Sequence, residues 1–169
     1  MRVAPSLVGL ATVLAVAPAV SRADLVTLGA SQDNTIFSED GGLSNGAGDY
    51  FFAGRTKGTD GTEVRRGLVA FDVAGALPAG STINSVTLTL YMSRSRTQDE
   101  IVDLHRILAD WGEGTSHADG EEGKGAVATP GDATWSHRLW PGTPWGSPGG
   151  DFAASPSASA VVGGKNGDY

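Results

Sequence analysis

Apolar and polar residues alternate along much of the chain, and the alternation predicts strands. The cleanest run is residues 82–93, where Val86, Leu88, Leu90 and Met92 alternate with Thr87, Thr89, Tyr91 and Ser93. A period of two sends one set into a core and the other toward solvent. Residues 64–72 differ: the RGLVAFD part is apolar on both faces, as a central strand should be. Residues 100–109 alternate again, and their β-branched side chains favour a strand over a short helix. Shorter candidates lie at 25–28, 32–38, 49–54, 133–139 and 158–162. Residues 73–77 suit one helical turn, ended by Pro78 and Gly80. Residues 110–134, rich in Gly, Glu, Asp and Ala and without periodicity, read as a long loop. Many short strands between Gly/Pro turns argue for an all-β sandwich or barrel. No period of about 20–50 residues repeats, which speaks against a solenoid or propeller.

Composition narrows the classes. Gly and Pro make up about a fifth of the 169 residues, below the roughly 25–30% of low-complexity chains. The formal charge of −7 opposes binding to nucleic-acid phosphates or anionic membranes. With no Cys, disulfides, thiolate metal sites and a Cys nucleophile are excluded. Met1-Arg2, the uncharged and mostly apolar run 3–20, and Ser21-Arg22-Ala23 form a secretory signal pattern. Cleavage after Ala23 is expected, leaving one domain over 24–169, secreted or held in the cell envelope, with no membrane insertion. Pro5 and Pro18 weaken the competing reading as a membrane anchor.

Three of the four Trp residues, Trp135, Trp140 and Trp145, are spaced five apart in TWSHRLWPGTPWGSPGG. Sugars stack their C–H faces on such rings. The Pro and Gly around Trp140 and Trp145 suit exposed loop platforms, whereas Trp111 and Trp135 suit core packing. Arg94 and Arg96, in SRSR, are candidates for uronate carboxylates. Arg65 and Arg66, consecutive in a strand, point to opposite faces, and one is expected to pair with an Asp such as Asp72. Asp33, Asn34, Glu39 and Asp40 cluster near a strand end and are candidate ligands of a structural calcium ion. The acidic loop 113–124, with His117, reads as a solvated face. No G-x-S-x-G elbow or H-E-x-x-H spacing occurs, and no catalytic set stands out. A Tyr91 or His105 base with Arg94 or Arg96, as a polysaccharide lyase would use, is the weakest of the readings.

The stretch RRGLVAFDVAGALPAGSTINSVTLTLYM resembles the central segment of the secreted modules called DNRLRE, or disaggregatase-related, domains. The matching features are Arg65/Arg66, Phe71-Asp72, Pro78-Ala79-Gly80 and the strand from Ile83 to Leu90. Upstream QDNTIFSEDGGLSNGAGDYFFAG is similar to the family's first strand and Asn-Gly loop. Asp110, Trp111, Glu113, Gly114 and Thr115 match its D-W-x-E-G-T segment, and Trp135 fits the Trp that follows. The resemblance covers residues 24–152. It implies a jelly-roll-like antiparallel β-sandwich, and a non-catalytic module that binds polysaccharide or cell-surface glycan. It equally allows a structural or adhesive envelope protein without a glycan ligand. The family pattern continues with further core strands, whereas this sequence ends in a turn-like KNGDY. A jelly roll lacking its C-terminal strands, with an open sheet edge and exposed apolar surface, is therefore expected.

Overall fold

The computed structural model describes residues 24–56, 63–95, 99–164 and 167–169. The expected signal peptide, residues 1–23, and Arg96 lie outside them. In chain order, β1 (Gln32–Phe37), β2 (Leu43–Ser44), β3 (Gly54–Arg55) and β4 (Val64–Ala70) precede a single helical turn, α1 (Val73–Ala76). Then come β5 (Tyr91–Met92), β6 (Glu100–Leu104), β7 (Ala126–Val127), β8 (His137–Leu139), β9 (Thr143–Pro144), β10 (Ala158–Val162) and β11 (Gly167–Asp168). Every ladder among the described residues is antiparallel. One sheet has three strands in the order β1-β4-β3; the others are the two-stranded ribbons β10-β6, β11-β5, β2-β7 and β8-β9. The protein is thus strand-rich and antiparallel, built from small separate sheets. Its described ladders do not join into the two facing sheets of a jelly roll.

The three-stranded sheet organises the core. β4 is its middle strand, with Asn34 opposite Leu68 and Ile36 opposite Arg66. Ile36 and Leu68 share one face and pack with Trp111, Ala133 and Trp145, flanked by Ala70, Ile107, Ala109 and Trp135. The other face is also covered. Phe37 is fully buried, the Phe52 amide donates to Thr35 Oγ1 at 2.9 Å, and Phe51 lies so close to Gly67 that a Cβ there would clash. An apolar residue on each side of β4 is what a strand buried on both faces needs.

Arg65 and Arg66 do point to opposite faces, but neither pairs with Asp72. Arg65 lies over Phe37 and bonds Glu39 at 2.6 Å. Arg66 sits 4.8 Å from the Trp135 ring and 4.7 Å from the Phe152 ring, and donates to the Gly149 carbonyl at 2.6 Å. Burial and, secondarily, Arg55 lower the Arg66 pKa. Asp72 instead caps α1, accepting from the Gly75 amide at 2.8 Å.

Three expected strands are absent or reduced to two residues or fewer: of residues 49–54, Gly54 alone enters a strand, as the first residue of β3. Residues 25–28 make no ladder, and Leu25 is exposed. Of the run 82–93, Tyr91–Met92 alone forms a strand, paired with β11. Val86 remains 81% exposed and Ile83 54%. Alternation is a local signal, whereas a ladder needs a partner, and no described strand lies beside residues 82–89. No helix among the described residues is long and apolar enough to cross a membrane.

Candidate functional site

The acidic loop 113–124 is solvated in part, with His117, Asp119, Glu121 and Lys124 exposed, but Ser116 and, further along, Asp132, Ala133 and Thr134 are buried. Asn34 anchors the loop at Glu113. The Asn34 amide donates to Ser44 Oγ at 2.9 Å and to the Glu113 carbonyl at 2.8 Å. Its oxygen accepts from the amides of Thr35 at 2.6 Å and Asn45 at 3.0 Å. Asp132, also fully buried, accepts from the amides of Thr115 at 2.7 Å and Thr129 at 2.6 Å. Gly114 adopts φ +74° against the Asp132 side chain, a left-handed turn that favours glycine. Glu122 takes the Asn45 amide at 3.1 Å and the Tyr50 amide at 2.9 Å. Glu113, Glu122 and Asp132 therefore satisfy groups inside the fold, while Asp119, Glu121 and Lys124 face water.

The same network engages the candidate calcium ligands. Asn34 has no free oxygen, Glu39 is held by Arg65, and Asp40 Oδ1 accepts from the Gly42 amide at 2.9 Å. Asp33 faces Glu113, whose Oε1 accepts the Asp33 amide at 2.9 Å. No group of three or more His, Asp or Glu side chains suited to a metal occurs among the described residues.

Burial and the Glu113 carboxylate both push the Asp33 carboxyl above its ordinary value of 3.8. The folded protein therefore holds this proton more tightly than the unfolded chain. Stability is lost as pH rises through the window just above 3.8. Asp33→Asn is expected to raise the melting temperature at pH 7, and the gain should vanish below the unfolded carboxyl value. Thermal melts of both proteins at pH 7 and pH 3 check this; an equal gain at both would remove the carboxylate as its cause.

The candidate stacking residues separate. Trp145 is 5% exposed, with its Nε1 donating to the Thr134 carbonyl at 2.8 Å. Its ring belongs to the core, which corrects the expectation of an exposed platform. The loop of Pro and Gly around it folds inward, and the Trp145 amide bonds the Ser136 carbonyl at 3.1 Å. Arg94 is exposed just past β5, on the ribbon with β11, whereas Trp140 sits in the β8–β9 hairpin.

Trp140 is half-buried and firmly seated. Its amide donates to the Asp132 carbonyl at 2.8 Å, and its own carbonyl accepts from the Gly131 amide at 2.7 Å. The Trp140-Pro141 bond is cis. The His137 ring meets the indole edge-on, centroids 4.8 Å apart at 85°. The far edge of the indole lies against Gly42, where a Cβ would come to 3.7 Å of Cη2. Gly41 packs on the Ser136 hydroxyl, and Asp40 is exposed in the same loop. A partly open ring, fixed through its backbone, flanked by His137 and by the Gly41-Gly42 turn that Asp40 and Ser136 adjoin, can stack on an apolar ligand face. Sequence reasoning found Trp140 but missed Gly42, Ser136 and His137. The position of His137, three residues before Trp140, was the available signal.

A shallow open depression of about 480 Å³ runs along Ile107, Leu108, Ala109, Asp110 and Arg138. Arg138 Nη1 is engaged by the Asp110 carbonyl at 3.0 Å. Comparison with family models, curated proteins and solved structures finds no match to this chain.

Proposed function

We propose that the protein is a secreted, non-catalytic module of the DNRLRE kind that binds a neutral glycan through Trp140. The observation that carries the reading is the seating of Trp140, a half-buried ring fixed at both its amide and its carbonyl. Preorganisation lowers the ordering cost of binding. The neutral choice rests on charge. Asp40 accepts from the amide of Gly42, the glycine beside the ring's edge, and the whole chain carries −7, so a polyuronate would meet repulsion. The ring supplies the stacking face, while Asp40, Ser136 and the loop backbone supply hydrogen bonds to sugar hydroxyls.

Affinity electrophoresis against a panel of neutral and uronate polysaccharides tests this. The protein should be retarded by a neutral member. Trp140→Ala should abolish the retardation with the melting temperature nearly unchanged, and Trp140→Phe should retain part of it. Retardation unaltered by Trp140→Ala would overturn the assignment of the site.

A further inference from the structure

Asn45-Gly46 is an Asn-Gly pair, the dipeptide in which a backbone amide most readily attacks the side chain before it. Glycine has no side chain to hinder that attack and bends freely into it. The fold nevertheless places this pair in its interior. Asn45 is fully buried. Its side-chain amide donates to the Tyr50 carbonyl at 3.0 Å and to Glu122 Oε2 at 3.1 Å, and its oxygen accepts from the Ala118 amide at 3.2 Å. The Gly46 amide donates to Ser116 Oγ at 3.4 Å. A Cβ on Gly46 would strike the Glu113 carbonyl, so the packing itself requires glycine after Asn45.

Glu113, Ser116, Ala118 and Glu122 all belong to the loop 113–124. While that loop is seated, the Gly46 nitrogen is engaged and both ends of the Asn45 side-chain amide are held. When the loop lifts, these restraints are released together.

We infer that Asn45 is a deamidation site gated by the loop 113–124, and that the reaction keeps the loop from reseating. In the open state the Gly46 nitrogen forms a bond to Asn45 Cγ. The Cγ–Nδ2 bond breaks, and ammonia leaves with the proton of the Gly46 amide. Water then adds to the succinimide and opens it to aspartate or isoaspartate. Either product carries a carboxylate where Asn45 carried a donor. Reseating would press it against Glu122, whose Oε2 bonds the Asn45 amide in the intact protein, and two carboxylates at one site repel. The Tyr50 carbonyl would lose its donor as well. Local opening is an ordinary, reversible event in folded proteins; here each opening risks a permanent one. The inference is independent of the glycan reading.

Peptide mapping by mass spectrometry follows Asn45 in the full chain at mildly alkaline pH. Because the open fraction alone reacts, conversion should be at least about tenfold slower in native buffer than in denaturant. A smaller difference would overturn the gating. The Ala118 amide, bonded to Asn45 Oδ1, should exchange its hydrogen faster than the amides of the β1–β4 ladder. Exchange no faster than theirs would mean that global unfolding, not the loop, exposes the site, and would also overturn it. Asn45→Asp reproduces one product and should lower the melting temperature. In that background Glu122→Gln should restore part of the loss, since a neutral amide can donate to the new carboxylate. If Asn45→Asp abolishes the cooperative melt, the double variant should regain it. An Asn45→Asp protein as stable as the original, or no gain from Glu122→Gln, would overturn the block on reseating.

Discussion

Replacing Asn34 with alanine is expected to destabilise the fold by on the order of 3 kcal/mol or more, a large share of the ~5–15 kcal/mol that holds a typical domain. Asn34 is fully buried. Its oxygen satisfies the amides of Thr35 and Asn45, and its amide satisfies the Glu113 carbonyl. Alanine leaves each of these groups buried without a partner, and the cost of an unsatisfied buried group is ~1–3 kcal/mol. The three partners belong to β1, to the loop after β2 and to the 110–134 loop, so one side chain ties three segments together. Chemical denaturation should show a lower midpoint. Asn34→Asp should be at least as damaging, because a carboxylate cannot donate to the Glu113 carbonyl and would itself be a buried charge. A near-neutral Asn34→Ala would mean that water or a local shift replaces those bonds.

Trp145→Ala is expected to cost about 3–5 kcal/mol, the range for removing a large buried aromatic side chain. The Trp145 ring packs with Ile36, Leu68, Trp111 and Ala133, and the Thr134 carbonyl accepts its indole hydrogen at 2.8 Å. Alanine leaves both a void and an unpaired carbonyl. Trp145→Phe keeps most of the apolar contact but not the hydrogen bond, and should fall between. The contrast with Trp140 is the informative part. Two Trp residues five positions apart, in similar Pro/Gly surroundings, are expected to divide cleanly: one sets stability, the other sets binding. Equal melting temperatures for Trp145→Ala and Trp140→Ala would contradict the packing described above.

The sequence showed β1, β4 and the turn α1 because their signals are local. Alternation, an apolar centre and the Asp72 cap act within a few residues. What depended on distant partners was hidden. Asn34 reads as a candidate ligand from composition, yet it sits two positions before Ile36 and so shares its buried face. That parity was a usable clue. The identity of its partners was not, since Glu113 is 79 residues away. The same holds for Arg65, which found Glu39 across the sheet rather than Asp72 along the chain. Residues 82–90 show the opposite case. Their pattern is as clear as any in the chain, but a ladder requires a neighbour, and alternation carries no information about one. For the site, Trp140 was legible from residue type and surroundings. Its difference from Trp145 was not, because that is set by which hairpin carbonyl each indole and amide meets.

Trp140, proposed as the stacking face for a glycan, can be watched through its indole N–H signal. The four Trp residues give four such resonances in an isotope-labelled sample, assignable by single substitution. During titration with the neutral polysaccharide that retards the protein, the Trp140 signal should shift and saturate. The signal of Trp145, bonded to the Thr134 carbonyl inside the core, should stay in place. A titration that moves other resonances and leaves Trp140 unchanged would contradict the account.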